Sequence, residues 1–273
     1  MLDIDKVSAF IAQAAAEEVM PRFTNLRRGD VREKGPGDLV TVADEAMEHH
    51  LSPILAGLLP DALVVGEEAA AADPDLLSRL AAAGSAWVID PIDGTANFAE
   101  GRPLFGVMVA LLDHGEPVAA WIHDPVSRSM ATAAKGEGAW LDGHGTGRRL
   151  TVSRPPADPH HLTGTLHSGF FGDRALSQRV QSRRDRVKPI KSLRAAAHEY
   201  LRLVRGETDF TLFTKLMPWD HAPGVLIHRE AGGHGRYLDG GEYQASRTQA
   251  GGLLMAPDEA SWSALRRLLL EDE

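Results

Sequence analysis

The chain has 273 residues, no cysteine and a formal net charge of −9 at pH 7. Its length allows one larger domain or two packed halves, and the absence of cysteine excludes disulfides, thiolate catalysis and cysteine-bound zinc. The negative charge disfavours a partner that is a nucleic acid polymer, because a polyanion would be repelled over most of the surface. No apolar run is long enough to span a membrane and the first residues do not resemble a targeting signal, so we expect a soluble cytoplasmic protein.

Patterns of apolar residues predict three helices and two strands before residue 90. The strand from Ala62 to Val65 runs into the acidic pair Glu67-Glu68, and the strand from Ala86 to Ile89 runs into Asp90. Two acidic clusters thus follow two neighbouring strands. Gly29 to Gly37 is predicted to be a polar loop. The three helices are predicted from Ile4 to Met20, from Val42 to Pro60 and from Asp75 to Ala83.

After residue 100 the patterns predict antiparallel strands first and then an alternation of strands and helices, which together make a layered mix of α and β. Gly106 to Leu112 and Pro117 to His123 are predicted to form a β-hairpin. The glycine- and proline-rich stretch from Gly143 to Pro159 is a candidate subdomain boundary. The other predicted elements are strands from Ser129 to Ala134, Leu162 to Leu166, Asp209 to Phe213 and Gly252 to Met255, and helices from Arg174 to Gln181, Ala195 to Val204, Asp220 to Ala231 and Pro257 to Leu270.

The segment from Trp87 to Phe98 carries the strongest chemical signal. Asp90 should emerge where a short buried strand ends, which is where open α/β sheets place their ligands. Pro91 stiffens the bend that follows and helps to turn the carbonyl of Ile92 outward. With Asp93 three residues further on, two carboxylates and a carbonyl can converge on a hard cation, which prefers oxygen ligands.

The next two residues suit a phosphate group. Gly94 lets the backbone approach an anion closely, and Thr95 can begin a helix whose free N–H groups bind phosphate. Taken alone, Asp-Gly-Thr is ordinary turn and helix-cap chemistry. The strand before it and the acidic residues elsewhere favour a metal and phosphate site instead.

Acidic residues in three other segments suit the same metal site. They are the pair Glu67-Glu68 after a strand, Asp220 before an apolar helical run, and Asp44 near the start of the second helix. For Asp220 and Asp44 the alternative interpretation is a helix-capping role, which aspartate often has.

These blocks resemble the lithium-sensitive, magnesium-dependent inositol monophosphatase superfamily. Its strongest signature is Trp-Val-Ile-Asp-Pro-Ile-Asp-Gly-Thr-Ala-Asn-Phe, which stands at Trp87 to Phe98. The resemblance implies an α+β fold, the layered α-β-α-β-α sandwich of the sugar phosphatases, as a single domain over residues 1–273 with a catalytic half (1–145) packed on a second half (146–273). Further matching blocks are Asp38 to Thr41 with Asp44, Gly66 to Glu68, Lys135 to Ala139, and Trp219-Asp220 with Glu230 to Gly233.

The resemblance also implies a phosphomonoesterase that uses metal-activated water to hydrolyse a small phosphorylated metabolite, which is an inositol phosphate or a related sugar or nucleotide phosphate. Two or three Mg²⁺ ions, with Mn²⁺ as a substitute, and a homodimer are implied as well. The implied metal ligands are Glu67, Asp90 and the Ile92 carbonyl for one ion, Asp90, Asp93 and Asp220 for the second, and Glu67 for a third, looser ion. The other implied roles are orientation and deprotonation of water by Thr95 and Asp44, support by the Glu68 carboxylate, and phosphate binding by the Gly94 and Thr95 N–H groups.

Two stretches depart from the members that bind inositol. Those members carry Gly-Thr-Ala-Ala where this chain has Arg194 to Ala197, and a glutamate where this chain has Phe213. An apolar ring thus replaces a hydroxyl acceptor, while Arg194 and Lys215 add positive charge. Our hypothesis is that these two residues bind a second anionic group of the substrate. The alternative is that both side chains are simply solvated.

Two other functions compete with this interpretation. Phosphatases of the haloacid-dehalogenase type also place Asp-Gly-Thr after a strand, and Asp90 would then be a nucleophile. In that scheme, however, the two aspartates are two residues apart, whereas Asp90 and Asp93 are three apart. The second alternative is a non-enzymatic interaction protein that keeps the fold.

Overall fold

The structure, a computed structural model, describes residues 2–156, 158–167, 173–249 and 251–271. In this part of the chain the strands are Val31–Gly35 (β1), Asp38–Thr41 (β2), Leu63–Gly66 (β3), Ser85–Asp93 (β4), Gly106–Asp113 (β5), Glu116–Asp124 (β6), Ser129–Ala134 (β7), Gly138–Leu141 (β8), Arg148–Arg149 (β9), Thr163–Leu166 (β10), Lys188–Ile190 (β11), Phe210–Phe213 (β12), His234–Tyr237 (β13) and Leu253–Ala256 (β14). The α-helices are Ile4–Ala14 (α1), Val42–Leu58 (α2), Glu67–Ala72 (α3), Asp75–Ala82 (α4), Thr95–Ala99 (α5), Arg174–Ser182 (α6), Ala196–Val204 (α7), Pro218–Glu230 (α8) and Glu259–Leu270 (α9).

Two sheets carry most of the strands. The larger has seven strands in the order β3-β4-β5-β6-β7-β8-β9, and the smaller has five in the order β11-β10-β12-β14-β13. In the larger sheet β3 and β4 are parallel, and β4 to β9 pair antiparallel, including the predicted β5–β6 hairpin. In the smaller sheet β10 is parallel to β11 and β12, while β14 is antiparallel to β12 and β13.

The helices and the two sheets stack in five alternating layers. One apolar cluster joins α1 and α2 to one face of the larger sheet, through Trp87 and Ile89 of β4 and Trp121 of β6. A second cluster joins the opposite face, including Val88, to α7, α8 and the smaller sheet. A third joins the far side of the smaller sheet to α6 and α9. The order is therefore helices, sheet, helices, sheet, helices, which confirms the predicted layered sandwich.

Several short elements were not predicted. The stretch Gly29 to Gly37, expected to be a polar loop, contains β1, which pairs with β2 from Val31 opposite Thr41 onward. Because no residue of β1 is fully buried, its sequence lacks the apolar alternation that marks a strand. The elements α3, β8, β9, β11 and β13 are two to six residues long, which is too short to show a period. The first helix also ends earlier than predicted, passing into a π-helical turn at Ala15–Val19.

The division into halves at residues 145 and 146 stays a prediction. The candidate boundary from Gly143 to Pro159 includes residue 157, which lies outside the described residues. None of the described helices combines the length and the apolarity that crossing a bilayer requires.

Candidate active site and metal centre

The ends of β3 and β4 bring two acidic segments side by side. The two strands are parallel, with Gly66 opposite Ile89, so Glu67 and Asp90 are the residues that directly follow this last pair. Asp220 joins them from the first turn of α8. One carboxylate oxygen from each of Glu67, Asp90 and Asp220 lies within 4.8 Å of the other two. Segments distant in sequence thus form a three-carboxylate cluster.

Asp220 does not have the helix-capping position that the alternative interpretation requires. Helix α8 begins at Pro218, whose missing N–H suits the first helical position. The N-cap is Met217, and no side chain caps the helix. The N-cap interpretation of Asp220 is therefore wrong, and its carboxylate instead lies beside those of Glu67 and Asp90.

The cluster is short of positive charge. Asp90 is 2% exposed, and within the described chain its Oδ1 has no hydrogen-bond partner. Burial, followed by the charges of Glu67 and Asp93, raises the pKa of Asp90 and of Asp220 well above the usual range. A divalent cation would supply the missing partner and offset the repulsion, and an all-oxygen donor set suits Mg²⁺ or Mn²⁺ better than zinc. The residues present therefore fit a metal.

Asp93 lies outside the group of three and is held by a different element. Its Oδ1 accepts a hydrogen bond from the Ala196 N–H at 2.9 Å, and its Oδ2 accepts one from the Ala197 N–H at 2.7 Å. Burial raises the pKa of Asp93 to about 7, although these two hydrogen bonds act in the opposite direction. Asp93 thus ties the end of β4 to the start of α7.

Thr95 and Asp44 are in contact, as their implied roles require. The Thr95 hydroxyl is 3.2 Å from Asp44 Oδ1 and 3.0 Å from the Ile92 carbonyl oxygen. The other Asp44 oxygen accepts hydrogen bonds from the Thr41 N–H and hydroxyl, which completes a capping box on α2. The capping interpretation of Asp44 is therefore correct for one oxygen only. Burial raises the pKa of Asp44 to about 7, so this carboxylate can accept a proton near neutral pH.

Gly94 makes a close approach that no other residue allows. Its φ is 86°, and a Cβ there would lie 2.9 Å from the Leu104 carbonyl oxygen and 3.0 Å from the Ala195 Cβ. Thr95 follows as the first residue of α5, which has five residues. The predicted turn from strand to helix is confirmed at this point.

Lys34, to which the sequence pattern assigned no role, contacts the acidic cluster. Its Nζ donates to Glu67 Oε1 at 2.8 Å and to Glu68 Oε1 at 2.9 Å, and its side chain is 16% exposed. Burial disfavours the ammonium, yet the two glutamates raise the pKa of Lys34 above its usual value. Lys34 lies on β1, which was predicted as loop, so no pattern directed it towards the cluster. Glu68 thus contacts Lys34, next to the three-carboxylate cluster.

A cavity of about 280 Å³ lies beside Asp93 and Asp220, and Arg194, Phe213 and Lys215 line it. The Arg194 side chain is 51% exposed and lies 3.5 Å from Glu100, while the Lys215 side chain is 54% exposed. The structure therefore brings both predicted substrate-binding cations to the same cavity. Their contact with a substrate stays a prediction.

An aromatic wall closes one side of this cavity. Phe213 is 4% exposed and stacks on Tyr200 and on His167, with ring centroids 4.9 Å and 5.5 Å apart. His167 lines the cavity, and its buried Nε2 has no partner among the residues that the structure describes. Burial lowers the pKa of His167, which favours the neutral imidazole. Nothing in the sequence pattern had singled out His167, because it is a single polar residue just after a short strand.

Comparison with known proteins agrees with this architecture. A profile of the inositol monophosphatase family matches residues 2–270. The chloroplast phosphatase IMPL1 of Arabidopsis thaliana is 32% identical over 247 residues, which are 87% of this chain but 63% of that protein. A protein of Aquifex aeolicus named fructose-1,6-bisphosphatase/inositol-1-monophosphatase is 29% identical over 237 residues, 85% of this chain and 83% of its own length.

A solved structure shows the same fold over the full chain. The extragenic suppressor protein SuhB of Bartonella henselae superposes with a TM-score of 0.80 and 25% identity, covering 99% of both chains. The family profile also spans nearly every residue, including all segments that build the acidic cluster. The chain therefore belongs to the inositol monophosphatase family, a family of phosphoric monoester hydrolases.

Proposed function

We propose that this chain is a Mg²⁺-dependent phosphomonoesterase that hydrolyses a small phosphorylated metabolite with metal-activated water. The observation that carries the proposal is the convergence of Glu67, Asp90 and Asp220, together with a buried oxygen of Asp90 that has no hydrogen-bond partner among the described residues. Together with Asp93 and the Ile92 carbonyl, these residues would hold two or three ions. Bound metal offsets the phosphate charge and lowers the pKa of a coordinated water. A cytoplasmic location and a homodimer stay predictions.

The chain's own groups supply the proton transfer. The Thr95 hydroxyl donates to Asp44 Oδ1, so its lone pairs can accept a proton from the attacking water. As the water oxygen bonds to phosphorus and the P–O ester bond breaks, the water proton passes to Thr95 and the Thr95 proton passes to Asp44. The leaving ester oxygen takes a proton from solvent water and departs as the alcohol. Gly94 and Thr95 N–H groups would steady the phosphate oxygens, and Glu68 would support the site from its contact with Lys34.

Phosphate release is expected to depend on added metal. The purified protein, freed of metal with a chelator, should release phosphate from at least one of inositol 1-phosphate, fructose 1,6-bisphosphate and p-nitrophenyl phosphate only after Mg²⁺ or Mn²⁺ is restored. We expect the difference to be about 100-fold or more, because the ions carry most of the charge stabilisation. Release that is equal with and without chelator, or absent for every ester, would contradict the proposal.

The same assay and a borohydride trapping experiment separate the alternatives. A non-enzymatic interaction protein would release no phosphate from any ester. A haloacid-dehalogenase mechanism would form an aspartyl-phosphate at Asp90, which borohydride traps under turnover. The family match favours neither, since it assigns the chain to the inositol monophosphatases.

We further propose that the substrate carries a second anionic group, which Arg194 and Lys215 bind. Arg194 has a φ of 60°, a left-handed conformation that costs a residue other than glycine roughly 1–2 kcal/mol. The inositol-binding members of the family carry glycine at this position. This chain thus has a long cationic side chain, that of Arg194, where the backbone conformation favours glycine. Arg194 lines the cavity together with Lys215. Such strain is often found at ligand-binding positions.

Arg194→Gly should therefore weaken substrate binding and stabilise the fold. For fructose 1,6-bisphosphate we expect KM to rise about tenfold, the effect of losing one charge-assisted hydrogen bond. For p-nitrophenyl phosphate kcat/KM should change little, because it has no second anion. Relief of the backbone strain should raise Tm by about 2–4 °C.

Arg102→Ala is the matched control. Arg102 is similarly exposed and also pairs with Glu100, at 3.0 Å, but it does not line the cavity. It should leave KM unchanged for both esters. If Arg194→Gly leaves KM unchanged for every mono- and bisphosphorylated ester tested, the second-anion hypothesis is wrong.

A further inference from the structure

Glu48, which lies outside the acidic cluster, holds the segment that carries Glu67. Helix α3 begins at Glu67, and its N-cap, Gly66, has no side chain to satisfy the free N–H groups of the first turn. Glu48 of α2 does this instead. Its Oε2 accepts a hydrogen bond from the Glu68 N–H and its Oε1 accepts one from the Ala69 N–H, both at 2.8 Å. Glu48 is only 6% exposed.

The absence of a side chain on Gly66 leaves room for this carboxylate. A Cβ on Gly66 would lie 2.0 Å from the Glu48 carboxyl carbon, and less than 2.5 Å from both of its oxygens. The φ of Gly66 is −96°, which any residue can adopt. Glycine is therefore required here for space and not for backbone conformation. The Glu48 carboxylate occupies the volume that a side chain on residue 66 would fill.

Glu48 also lies one helical turn after Asp44, on the same face of α2. Asp44 contacts the Thr95 hydroxyl, while Glu48 binds the backbone next to Glu67. One face of α2 thus carries both Asp44, which contacts Thr95, and Glu48, which binds the backbone next to the candidate metal ligand Glu67. A shift of α2 relative to α3 would change the distance between Asp44 and Glu67.

We propose that Glu48 is a positioning residue that holds the Glu67 backbone in place and thereby sets the metal affinity of the three-carboxylate cluster. The inference rests on the proposed function, since it takes Glu67 as a metal ligand. Glu48 does not belong to the group of three oxygens that face one another, so it acts through α3 and not by direct coordination.

Glu48→Gln tests this with little change in volume. The amide replaces one acceptor oxygen by an NH₂ group that faces a backbone N–H, so one of the two hydrogen bonds is lost. By calorimetric titration of the metal-free protein with Mn²⁺, Kd should rise about tenfold, as is typical when the support of a metal ligand is removed. The Mg²⁺ concentration for half-maximal phosphate release should rise by a similar factor, while kcat at saturating Mg²⁺ stays within about threefold of wild type.

Glu45→Gln is the matched control and Gly66→Ala is an independent second variant. Glu45 is an exposed residue of the same helix that pairs with Arg32, so its change should leave the Mn²⁺ Kd unaltered. Gly66→Ala leaves every carboxylate in the chain but displaces that of Glu48, and it should reproduce the loss of Mn²⁺ affinity.

The outcomes distinguish a failure of the Glu48 inference from a failure of the proposed metal-dependent function. If Glu48→Gln lowers Tm but keeps the wild-type Mn²⁺ Kd, Glu48 is only structural and the inference is wrong. If that variant does not fold, wild-type Mn²⁺ affinity in Gly66→Ala overturns the inference equally. If the wild-type protein binds no Mn²⁺ at all, the proposed metal-dependent function fails, and this inference fails with it.

Discussion

Asp90→Asn is expected to abolish phosphate release and, at the same time, to stabilise the metal-free protein. Asp90 lies in the three-carboxylate cluster, and one of its oxygens is buried without a hydrogen-bond partner in the described part of the chain, so the amide removes charge from the centre of the proposed metal site. We expect kcat to fall about 10³-fold or more, the scale of losing a principal electrostatic group. Because the pKa of Asp90 is raised well above its usual range, a neutral side chain of the same shape should raise the Tm of the metal-free protein.

Phosphate release and thermal melting, each with and without Mg²⁺, check both halves of this prediction. Asp220→Asn should behave in the same way, because Asp220 belongs to the same cluster and its pKa is also raised. Asp61→Asn, at an exposed position away from the cluster, is the control and should change neither quantity. Near-normal turnover by Asp90→Asn or Asp220→Asn would rule out the metal assignment. Lower stability of both metal-free variants would show that the cluster is not electrostatically strained.

The stability of the metal-free protein is expected to fall as the pH rises from about 4 to about 7. Asp44 and Asp93 each have a folded-state pKa of about 7, against an ordinary value of 3.8. Between these values the folded protein binds more protons than the unfolded chain, so the free energy of unfolding decreases with increasing pH. Above about pH 7 both states are deprotonated and this contribution is constant. Asp90 and Asp220, with raised pKa values, act in the same direction.

Mg²⁺ should remove this dependence. Metal binds the deprotonated carboxylates, so saturating Mg²⁺ should raise Tm more at about pH 8 than at about pH 5. Melting curves in chelator and in Mg²⁺ across this range measure the difference. Calorimetry in two buffers of different ionisation enthalpy should also show protons released on binding. Parallel curves with and without Mg²⁺, and no proton release, would contradict the prediction.

Much of the site could be predicted because it lies in one short run of sequence. Asp90, Ile92 and Asp93 are among the last residues of β4, whose apolar residues are buried on both faces, and Gly94 and Thr95 follow it directly. The irregular end of this strand keeps these groups within a few residues of one another, whatever the rest of the chain does. The prediction that two acidic clusters follow two neighbouring strands is confirmed by the parallel pairing of β3 with β4.

Other parts of the site left no pattern to recognise. Lys34 lies on a polar strand that was predicted as a loop, and its two carboxylate partners are 33 and 34 residues away. Glu48 had no role from its sequence context, because it acts on backbone N–H groups 20 and 21 residues later. His167 is a single histidine whose neighbours in the cavity come from other elements. Contacts of this kind depend on how helices and strands pack, which periodicity does not record.

The sequence alone determined the family and the layered fold class and predicted the chemistry of the proposed reaction, because oxygen-rich motifs and apolar periods are local properties of the chain. Only the tertiary structure decided how these parts meet. It showed that Asp220 lies inside α8 and faces Asp90, that Asp93 is tied to the start of α7, and that Arg194 is strained beside the cavity. The reason is that burial, charge repulsion and backbone strain arise from packing between segments far apart in the chain.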